Sequence, residues 1–304
     1  MVQEALWFDL VSGSWVARYF VQDTLAHDAT NHLLIYTEVA TGRVTKFFDF
    51  STNHPTIKRG EFKSFTDSGG NETVAAYGGD DRIASFVMQS GAISAGYYYA
   101  YLGSGENAGH LQYVTLKVNG NDVRRCQYGY YVSTDLYGTT GDLKRVTSQE
   151  YQSGTWGDLT KTLYRYYLTG ESNGFSHALK IVLGPQGYAK MEAAGITPDI
   201  ALFDQILPYS DNYFEYNSTS KDAVVEKAGG AQLNFLFERS SSSHSDGFNR
   251  WQVKTTETLN DGSKNFVYTN YATQPILKIF QSGANEWFEY FKYDDDGRFG
   301  LHPV

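Results

Sequence analysis

The sequence predicts a mostly β fold, an antiparallel sheet of successive hairpins with one small helical insertion. Three observations carry this prediction. The 304 residues include 30 Gly but only 6 Pro, and short apolar stretches alternate with glycine turns. Aromatic residues reach 16%, which argues against a disordered chain. Charged residues reach only 19%, below the roughly 25% of ordinary soluble domains, which argues against a coiled coil.

The first hairpins follow from apolar strands joined by turn residues. Residues 33–36 and 43–48 have the composition of strands on either side of a glycine turn. Residues 111–118 alternate well enough to predict a strand, and the Asn-Gly dipeptide at 119–120 is the strongest hairpin signal in the chain. Residues 123–132 then supply the returning strand.

One stretch breaks the strand pattern. Residues 185–195 contain good helix formers and end in glycine. After Pro198, the apolar residues of 199–207 recur at helical spacing. We therefore predict a helix-loop-helix insertion at residues 185–208, and strands resume at Tyr213.

The last third of the chain returns to hairpins. A turn at 259–262 joins predicted strands at 251–259 and 265–271, and the serine-rich stretch at 240–247 predicts a flexible loop. The last predicted strand, 286–293, carries aromatic rings on both faces. Such a strand is either enclosed in a core or part of a large sheet whose faces are covered by stacked aromatic side chains.

A short unit recurs along the chain, and its clearest copy spans residues 293–299. It consists of Tyr293, Asp294, two variable residues, Gly297, Arg298 and an apolar residue. We expect the tyrosine to end one strand and pack on the sheet. The aspartate can accept hydrogen bonds from the backbone ahead of it, and the glycine can take the positive φ that the reversal needs.

Degenerate copies keep part of this pattern. The copy at residues 77–83 keeps the aromatic, arginine and apolar positions but lacks the glycine, and the copy at 166–170 keeps only the aromatic residue and the glycine. The further positions that we assign to this turn are Tyr137, Gly141, Asp142, Phe65, Asp67 and Gly69.

The unit at residues 293–299 resembles the YD-repeat (Rhs) family, whose consensus is Tyr-Asp-x-x-Gly-Arg-Leu, with Phe here in place of Leu. Stretches at 127–145 and 162–185 are similar to long Rhs-like proteins, and the resemblance covers about residues 30–304. It implies a coiled antiparallel sheet that forms a hollow shell, hairpin after hairpin. In family members with toxin cargo the shell surrounds a C-terminal toxic domain, and teneurins use a similar barrel in cell adhesion.

The chain also departs from this family. It has no Asp-Pro dipeptide, which the family's terminal cleavage region contains, and it stops at Val304, five residues after a repeat unit. We therefore expect residues 1–304 to be one YD-repeat-type β segment of a larger shell. The resemblance implies a secreted or cell-surface protein. Residues 1–19 have no signal-peptide pattern, and no apolar stretch is long enough to predict a membrane-spanning helix.

The composition and motifs argue against several functions. A net charge of −9 is unlike that of a nucleic-acid binder. The single cysteine, Cys126, cannot form an intramolecular disulfide, and His27 and His32 lack a metal-ligand spacing. The acidic run at 294–296 could bind calcium weakly, but acidic residues are also the expected residues of a turn. We expect no catalytic residue, cofactor site or metal site.

Two functions follow as hypotheses. The first is a non-catalytic structural segment of a YD-repeat β-shell, which encloses or presents a cargo or C-terminal domain of the same polypeptide. The alternative is an extracellular carbohydrate-binding or adhesion β-module that recognises cell-surface glycans. An enzyme is not expected, because no pair of acids is placed to converge. Exposed rings in a row at residues 97–101 and 287–293 would favour glycans, whereas rings packed on neighbouring strands would favour the shell.

Overall fold

Successive antiparallel strands dominate the computed structural model, which describes residues 7–18 and 22–300. The predicted fold class is confirmed: the chain is mostly β, its strands follow one another as hairpins, and two short α-helices interrupt them. The chain forms two compact units, Met1–Tyr128 with Thr147–Leu159, and Gly129–Val146 with Thr160–Val304.

In the first unit the strands of the main sheet follow chain order, and each pairs with the next in antiparallel sense. A separate hairpin of β1 (Phe8–Val11) and β2 (Ser14–Ala17) precedes that sheet. The sheet strands are β3 (Thr24–Asp28), β4 (Leu33–Glu38), β5 (Arg43–Phe48), β6 (Phe62–Thr66), β7 (Glu72–Tyr77), β8 (Ile83–Ser90), β9 (Ile93–Tyr101), β10 (Leu111–Val118) and β11 (Asn121–Tyr130).

The second unit has the same hairpin order. Strand β11 and the next two strands, β12 (Leu143–Gln152) and β13 (Thr155–Tyr166), have residues in both units. The remaining strands are β14 (Leu179–Leu183), β15 (Asn212–Tyr216), β16 (Ala223–Ala228), β17 (Leu233–Ser241), β18 (Val253–Thr258), β19 (Lys264–Thr269), β20 (Pro275–Ser282), β21 (Asn285–Tyr290), β22 (Lys292–Tyr293) and β23 (Phe299–Gly300). Strands β22 and β23 form a hairpin of their own.

The last predicted strand, 286–293, differs from the structure. It is divided into β21 and β22, because β21 pairs with β20 whereas β22 pairs with β23, and the Tyr293 amide donates to the Asn249 side-chain oxygen (2.8 Å). The predicted serine loop also begins later than expected. Ser240 and Ser241 belong to β17, where they pair with β18.

The helical insertion consists of α1 (Pro185–Ala193), α2 (Phe203–Ile206) and a 3-10 turn at Leu207–Tyr209. Helix α2 is shorter than the predicted 199–207, because the chain before it forms a turn in which the Ala201 amide donates to the Thr197 carbonyl (3.1 Å). The insertion packs on β13 and β14 and closes a dry core. The fully buried members of that core are Leu163, Ile181, Leu183, Met191 and Ile206.

Several strands away from this core are half-buried on both faces. Every residue of β10, β16, β18 and β19 is of intermediate exposure. A strand with one face on a dry core and the other in water alternates buried and exposed residues instead. Long side chains therefore cover both faces of these strands, whereas the dry core lies where the helical insertion packs on β13 and β14.

Truncation inside this core is expected to cost far more than truncation beside it. Ile206 is fully buried, whereas Leu202, just before the same helix, is 65% exposed. We expect Ile206→Ala to lower the free energy of unfolding by about 2–5 kcal/mol and Leu202→Ala by about 0.5 kcal/mol or less. Urea unfolding of the two variants measures the difference. Equal losses would show that the insertion is not a packed core.

Candidate functional site

Residues 293–299 form a closed turn. The Asp294 amide donates to the Arg298 carbonyl (3.0 Å), and the Gly297 amide donates to the Asp294 carbonyl (3.1 Å). The Asp294 carboxylate accepts hydrogen bonds from the amides of Asp296 (3.0 Å) and Arg298 (2.8 Å). Gly297 has a φ of 76°, which glycine adopts more easily than any residue with a Cβ. The side chain of the aspartate and the backbone of the glycine thus close the reversal together.

Tyr293 anchors this turn to the neighbouring backbone. It is 8% exposed, its hydroxyl donates to the Pro275 carbonyl (2.9 Å), and its ring lies 6.0 Å from that of Phe299. Arg298 is exposed and pairs with Asp296 (3.3 Å) in the same turn. The tyrosine therefore carries the packing of the unit, whereas an exposed ion pair of this kind contributes little.

The copy around Asp67 has the same turn, one residue later than predicted. The Asp67 amide donates to the Asn71 carbonyl (3.0 Å), and its carboxylate accepts from the amides of Gly69 (2.8 Å) and Asn71 (2.9 Å). The left-handed residue is Gly70, with a φ of 81°, and not Gly69. Phe65 consequently lies one residue too early for the tyrosine position. Hydrogen bonds from the side chain and backbone of Asn71 lower the pKa of Asp67.

The copy around Gly141 is a different turn. Gly141 is left-handed, with a φ of 95°, and its amide donates to the Tyr131 carbonyl (3.2 Å). Tyr131, not Tyr137, therefore holds the tyrosine position, and a long loop separates it from the glycine. Asp142 follows the glycine, and its carboxylate accepts from the amide of Thr139 behind it (2.8 Å). The sequence prediction counted the spacing from Tyr137, and it therefore did not include the loop that lies between Tyr131 and Gly141.

A further copy has no glycine and was missed by the sequence analysis. The Asn270 amide donates to the Gln274 carbonyl (2.9 Å), and the Thr273 amide donates to the Asn270 carbonyl (3.0 Å). The Asn270 side-chain oxygen accepts from the amides of Ala272 (3.0 Å) and Gln274 (3.0 Å). Thr273, with a φ of 61°, takes the glycine's place. The sequence signal was an Asn in place of the Asp, because the side-chain oxygen of Asn can accept the same local hydrogen bonds.

The copy at residues 77–83 shares only the backbone closure. The Gly78 amide donates to the Arg82 carbonyl (2.7 Å), and the Asp81 amide donates to the Gly78 carbonyl (3.0 Å). Asp81 has a φ of 60° and occupies the left-handed position. The constant feature of these turns is thus the pair of backbone hydrogen bonds with one left-handed residue inside, and the side chains vary around it.

Tyrosines at or just after the ends of strands bond through their hydroxyls to the backbone of other strands, either the adjacent strand or the one beyond it. Burial raises the pKa of Tyr131 and of Tyr167 well above the ordinary value, so both hydroxyls remain protonated donors. The bonds to backbone carbonyls are Tyr77 to Phe62 (2.6 Å), Tyr101 to Ile83 (2.9 Å), Tyr131 to Tyr164 (2.7 Å), Tyr167 to Phe214 (2.8 Å), Tyr216 to Leu179 (2.8 Å) and Tyr293 to Pro275 (2.9 Å).

A row of side chains crosses four strands on one face of the second unit, and we call it the aromatic row. Glu257, Asn265, Phe280 and Trp287 stand opposite one another in successive strand pairs. Trp287 stacks on Phe280 with ring centroids 5.4 Å apart and an interplanar angle of 28°. These two rings are 54% and 38% exposed. The Asn265 amide donates to Glu257 (2.7 Å), which places a polar pair beside an exposed apolar platform.

The tyrosine-rich strand β9 differs from this row. Tyr97 is exposed, but Tyr98, Tyr99 and Tyr101 are half-buried. Tyr99 packs edge-on against Phe86 with centroids 6.2 Å apart. The two aromatic stretches therefore behave differently: the rings of β9 mostly pack within the sheet, whereas those of β21 face solvent.

Three histidines converge on one carboxylate in the first unit, which the sequence analysis did not find. Asp49 is 3% exposed, with His27 at 2.9 Å, His54 at 3.6 Å and His32 at 3.7 Å. Burial acts to raise the pKa of Asp49, but hydrogen bonds from Ser51 and His27 and the charge of His32 outweigh it and hold the pKa well below its usual range. No sequence spacing links His54 to the other two, since a loop brings it back.

Other candidates for chemistry are placed as follows. Within the described parts of the chain, no group of three or more His, Cys, Asp or Glu side chains has a geometry that could hold a metal ion. Cys126 is half-buried on β11, opposite Val114. Asp294 in the acidic run at 294–296 uses its carboxylate to close the turn.

Comparison with known proteins yields similar solved structures. No protein family model matches the chain, and no curated protein matches it. A porin-like protein from Bacteroides uniformis is similar over 88% of this chain and 85% of its own, at 11% identity and a TM-score of 0.26. A chain of the TcdB2-TccC3-Cdc42 structure is similar over 88% of this chain and 19% of its own, at 8% identity and a TM-score of 0.13. Scores this low carry no argument about fold or function.

Neither described α-helix combines the length and apolar character needed to cross a membrane.

The left-handed position can be tested by giving glycines a Cβ. Gly297→Ala would bring its Cβ against the ring of Phe248, whereas a Cβ at Gly262 (φ 83°) meets nothing within 4 Å. Both variants take on the backbone cost of about 1–2 kcal/mol, and Gly297→Ala adds a further 1–3 kcal/mol or so of overpacking. Urea unfolding measures both. A smaller loss for Gly297→Ala than for Gly262→Ala contradicts the assignment.

The hydroxyl bonds predict a second difference. Tyr167 is 1% exposed, and Tyr167→Phe leaves the Phe214 carbonyl without its donor at 2.8 Å, so the free energy of unfolding should fall by about 1–3 kcal/mol. Tyr97→Phe serves as the control, because Tyr97 is 52% exposed, and it should stay within about 0.5 kcal/mol of the parent. Chemical denaturation of both variants checks this. Equal denaturation midpoints for the two variants would show that the Tyr167 hydroxyl does not anchor the strands.

Asp49 predicts a pH dependence of stability. Its folded pKa lies far below the unfolded value of about 3.9, so its ionised form contributes stability above about pH 4, and this is lost as the pH falls below that value. Asp49→Asn lacks this contribution. The stability difference between parent and variant, from urea titrations between pH 3 and pH 6, should shrink toward low pH. A difference that is constant over that range would rule the mechanism out.

Proposed function

We propose that this chain is a non-catalytic structural segment of a YD-repeat-type β-wall, which encloses or presents a cargo domain of the same polypeptide at or beyond the cell surface. The observation that carries the proposal is the repeated closure of hairpin ends by two backbone hydrogen bonds around one left-handed residue. Many of these ends are also held by a tyrosine hydroxyl.

The burial pattern is a second support. Strands such as β10 and β18 are half-buried on both faces, so each face has side chains able to meet another surface or solvent. A wall needs this property, because one of its faces lines an interior while the other faces outward. The family resemblance of residues 293–299 points to the same role.

The test is the reading frame that contains these 304 residues. We expect further Tyr-Asp-x-x-Gly units on at least one side and a distinct domain beyond them. Expressed whole, that protein should protect the distinct domain from a protease that digests the same domain when it is isolated. A reading frame without flanking repeats, or a domain that is digested equally fast in both forms, would count against the wall.

A second candidate function, a carbohydrate-binding or adhesion module, is favoured by the aromatic row. A flat, exposed pair of stacked rings at Trp287 and Phe280 offers the apolar platform on which a sugar ring can lie. The amide of Asn265 and the carboxylate of Glu257 beside it can bond sugar hydroxyls. Exposed aromatic patches of this kind often mark binding surfaces.

A glycan panel tests this candidate with two variants. Trp287→Ala should weaken binding of any glycan that the parent retains by about tenfold or more, which corresponds to the loss of one anchoring side chain. Tyr97→Ala is the control, since Tyr97 is equally exposed at 52% but lies on β9. The candidate is abandoned if the parent binds no glycan, or if both variants bind as the parent does.

A further inference from the structure

Arg165 is a buried cation without a carboxylate partner. It is 3% exposed and stands on β13 between Leu163 and Tyr167, each 1% exposed on the same face. Its guanidinium donates to the Pro198 carbonyl (2.8 Å) and lies 3.6 Å from the centroid of the Tyr137 ring. Its buried Nε has no hydrogen-bond partner, and no carboxylate of the described chain lies within 4.0 Å of it.

Burial of this guanidinium is unfavourable unless a negative charge lies beside it. Moving an isolated cation out of water costs several kcal/mol unless it is paired and fully hydrogen-bonded. One carbonyl and one aromatic face meet only part of that need. Asp199 acts on Arg165 at longer range, but its carboxylate is shared with Arg145 (3.4 Å) and the Tyr188 hydroxyl (3.1 Å).

Arg165 lines a small cleft of about 140 Å³ in the second unit, together with Tyr137, Glu171, Lys180 and Phe203. Lys180 pairs with Glu171 (2.9 Å). The other Glu171 oxygen accepts from the Leu168 amide (2.9 Å), so the carboxylate is fully engaged. The ion pair cancels its own charge, and the cleft keeps the positive charge of Arg165.

We propose that this cleft binds a small oxyanion, a carboxylate or a phosphate, with Arg165 as its charge partner. A guanidinium matches both groups in geometry. Since one water molecule needs roughly 10–15 Å³ of such a cavity, the volume of about 140 Å³ accommodates an anion of acetate or phosphate size. A carboxylate could come from an acidic sugar or a peptide, and a phosphate could be free or part of a larger ligand. This site is separate from the aromatic row and from the repeat turns.

The test is anion-dependent stability of the whole chain. Sodium acetate or sodium phosphate replaces sodium chloride at constant ionic strength, and the melting temperature is recorded by scanning fluorimetry. We expect a saturable rise of about 2 °C or more for at least one of the two oxyanions. Acetate alone indicates a carboxylate ligand, and phosphate alone indicates a phosphate ligand. No saturable rise with either overturns the proposal.

Variants separate this site from general salt effects, because phosphate stabilises many proteins by exclusion from their surface. Arg165→Gln should abolish the saturable rise. Arg125→Gln should keep it, since Arg125 stacks between Tyr113 and Trp156 and does not line the cleft. A response that is equal in Arg165→Gln and the parent overturns the proposal.

A second variant keeps the test decisive if Arg165→Gln does not fold. Glu171→Gln removes a negative charge from the cleft and retains an oxygen for the Leu168 amide. Affinity for the oxyanion that stabilises the parent, measured by calorimetric titration, should increase about threefold or more, because a negative charge that lines the cleft is gone. An unchanged or weaker affinity in a folded Glu171→Gln protein contradicts the assignment.

Discussion

The structure depends on how each hairpin closes. An antiparallel strand that turns back must satisfy the amide and carbonyl at its end, and here one backbone pair does so with a left-handed residue inside the turn. Gly297, Gly70, Thr273 and Asp81 occupy that position in turns of different sequence. Because the closure is a backbone arrangement, side chains around it can vary while the order of strands stays the same.

Tyrosine adds tertiary contact to this local closure. The ring at the end of a strand packs on the sheet and its hydroxyl reaches a neighbouring backbone, as Tyr293 does at Pro275. This arrangement suits a sheet whose faces are half-buried, since each anchor bonds to a carbonyl of the main sheet and needs no second layer. The helical insertion is the exception. It covers β13 and β14, creates the dry core around Met191 and Ile206, and also brings Pro198 onto the unpaired guanidinium of Arg165.

Local rules in the sequence were enough to predict the fold class. Alternation at 111–118, the Asn-Gly turn after it, and the helix formers from Pro185 onward are short-range signals, and each element is present. The division between β21 and β22 was not predictable, because it depends on the pairing of β22 with β23 and on hydrogen bonds between Tyr293 and the distant Asn249. The register of the Asp67 turn depends on which residue the carboxylate reaches, which the spacing of aromatic residues and glycines does not specify.

Sites that rest on long-range proximity were out of reach. His54 meets Asp49 only because a loop folds back, and Arg165 meets Tyr137 only because the long loop after Tyr131 returns to β13. The aromatic character of 286–293 was evident, but which rings would be exposed depended on pairing across the sheet. The repeat pattern requires a glycine, so it does not include the Asn270 turn, where Thr273 holds the left-handed position.

The most direct measurement of the central claim is therefore the unfolding free energy of Thr273→Gly. Thr273 is exposed and β-branched, with a φ of 61°, so its backbone cost of about 1–2 kcal/mol disappears in the variant, against about 0.5–1 kcal/mol of added chain entropy. We predict a net gain of about 0.5–1 kcal/mol, while Thr255→Gly within β18 should lose stability. A Thr273→Gly variant less stable than the parent would contradict the account of the closing turn.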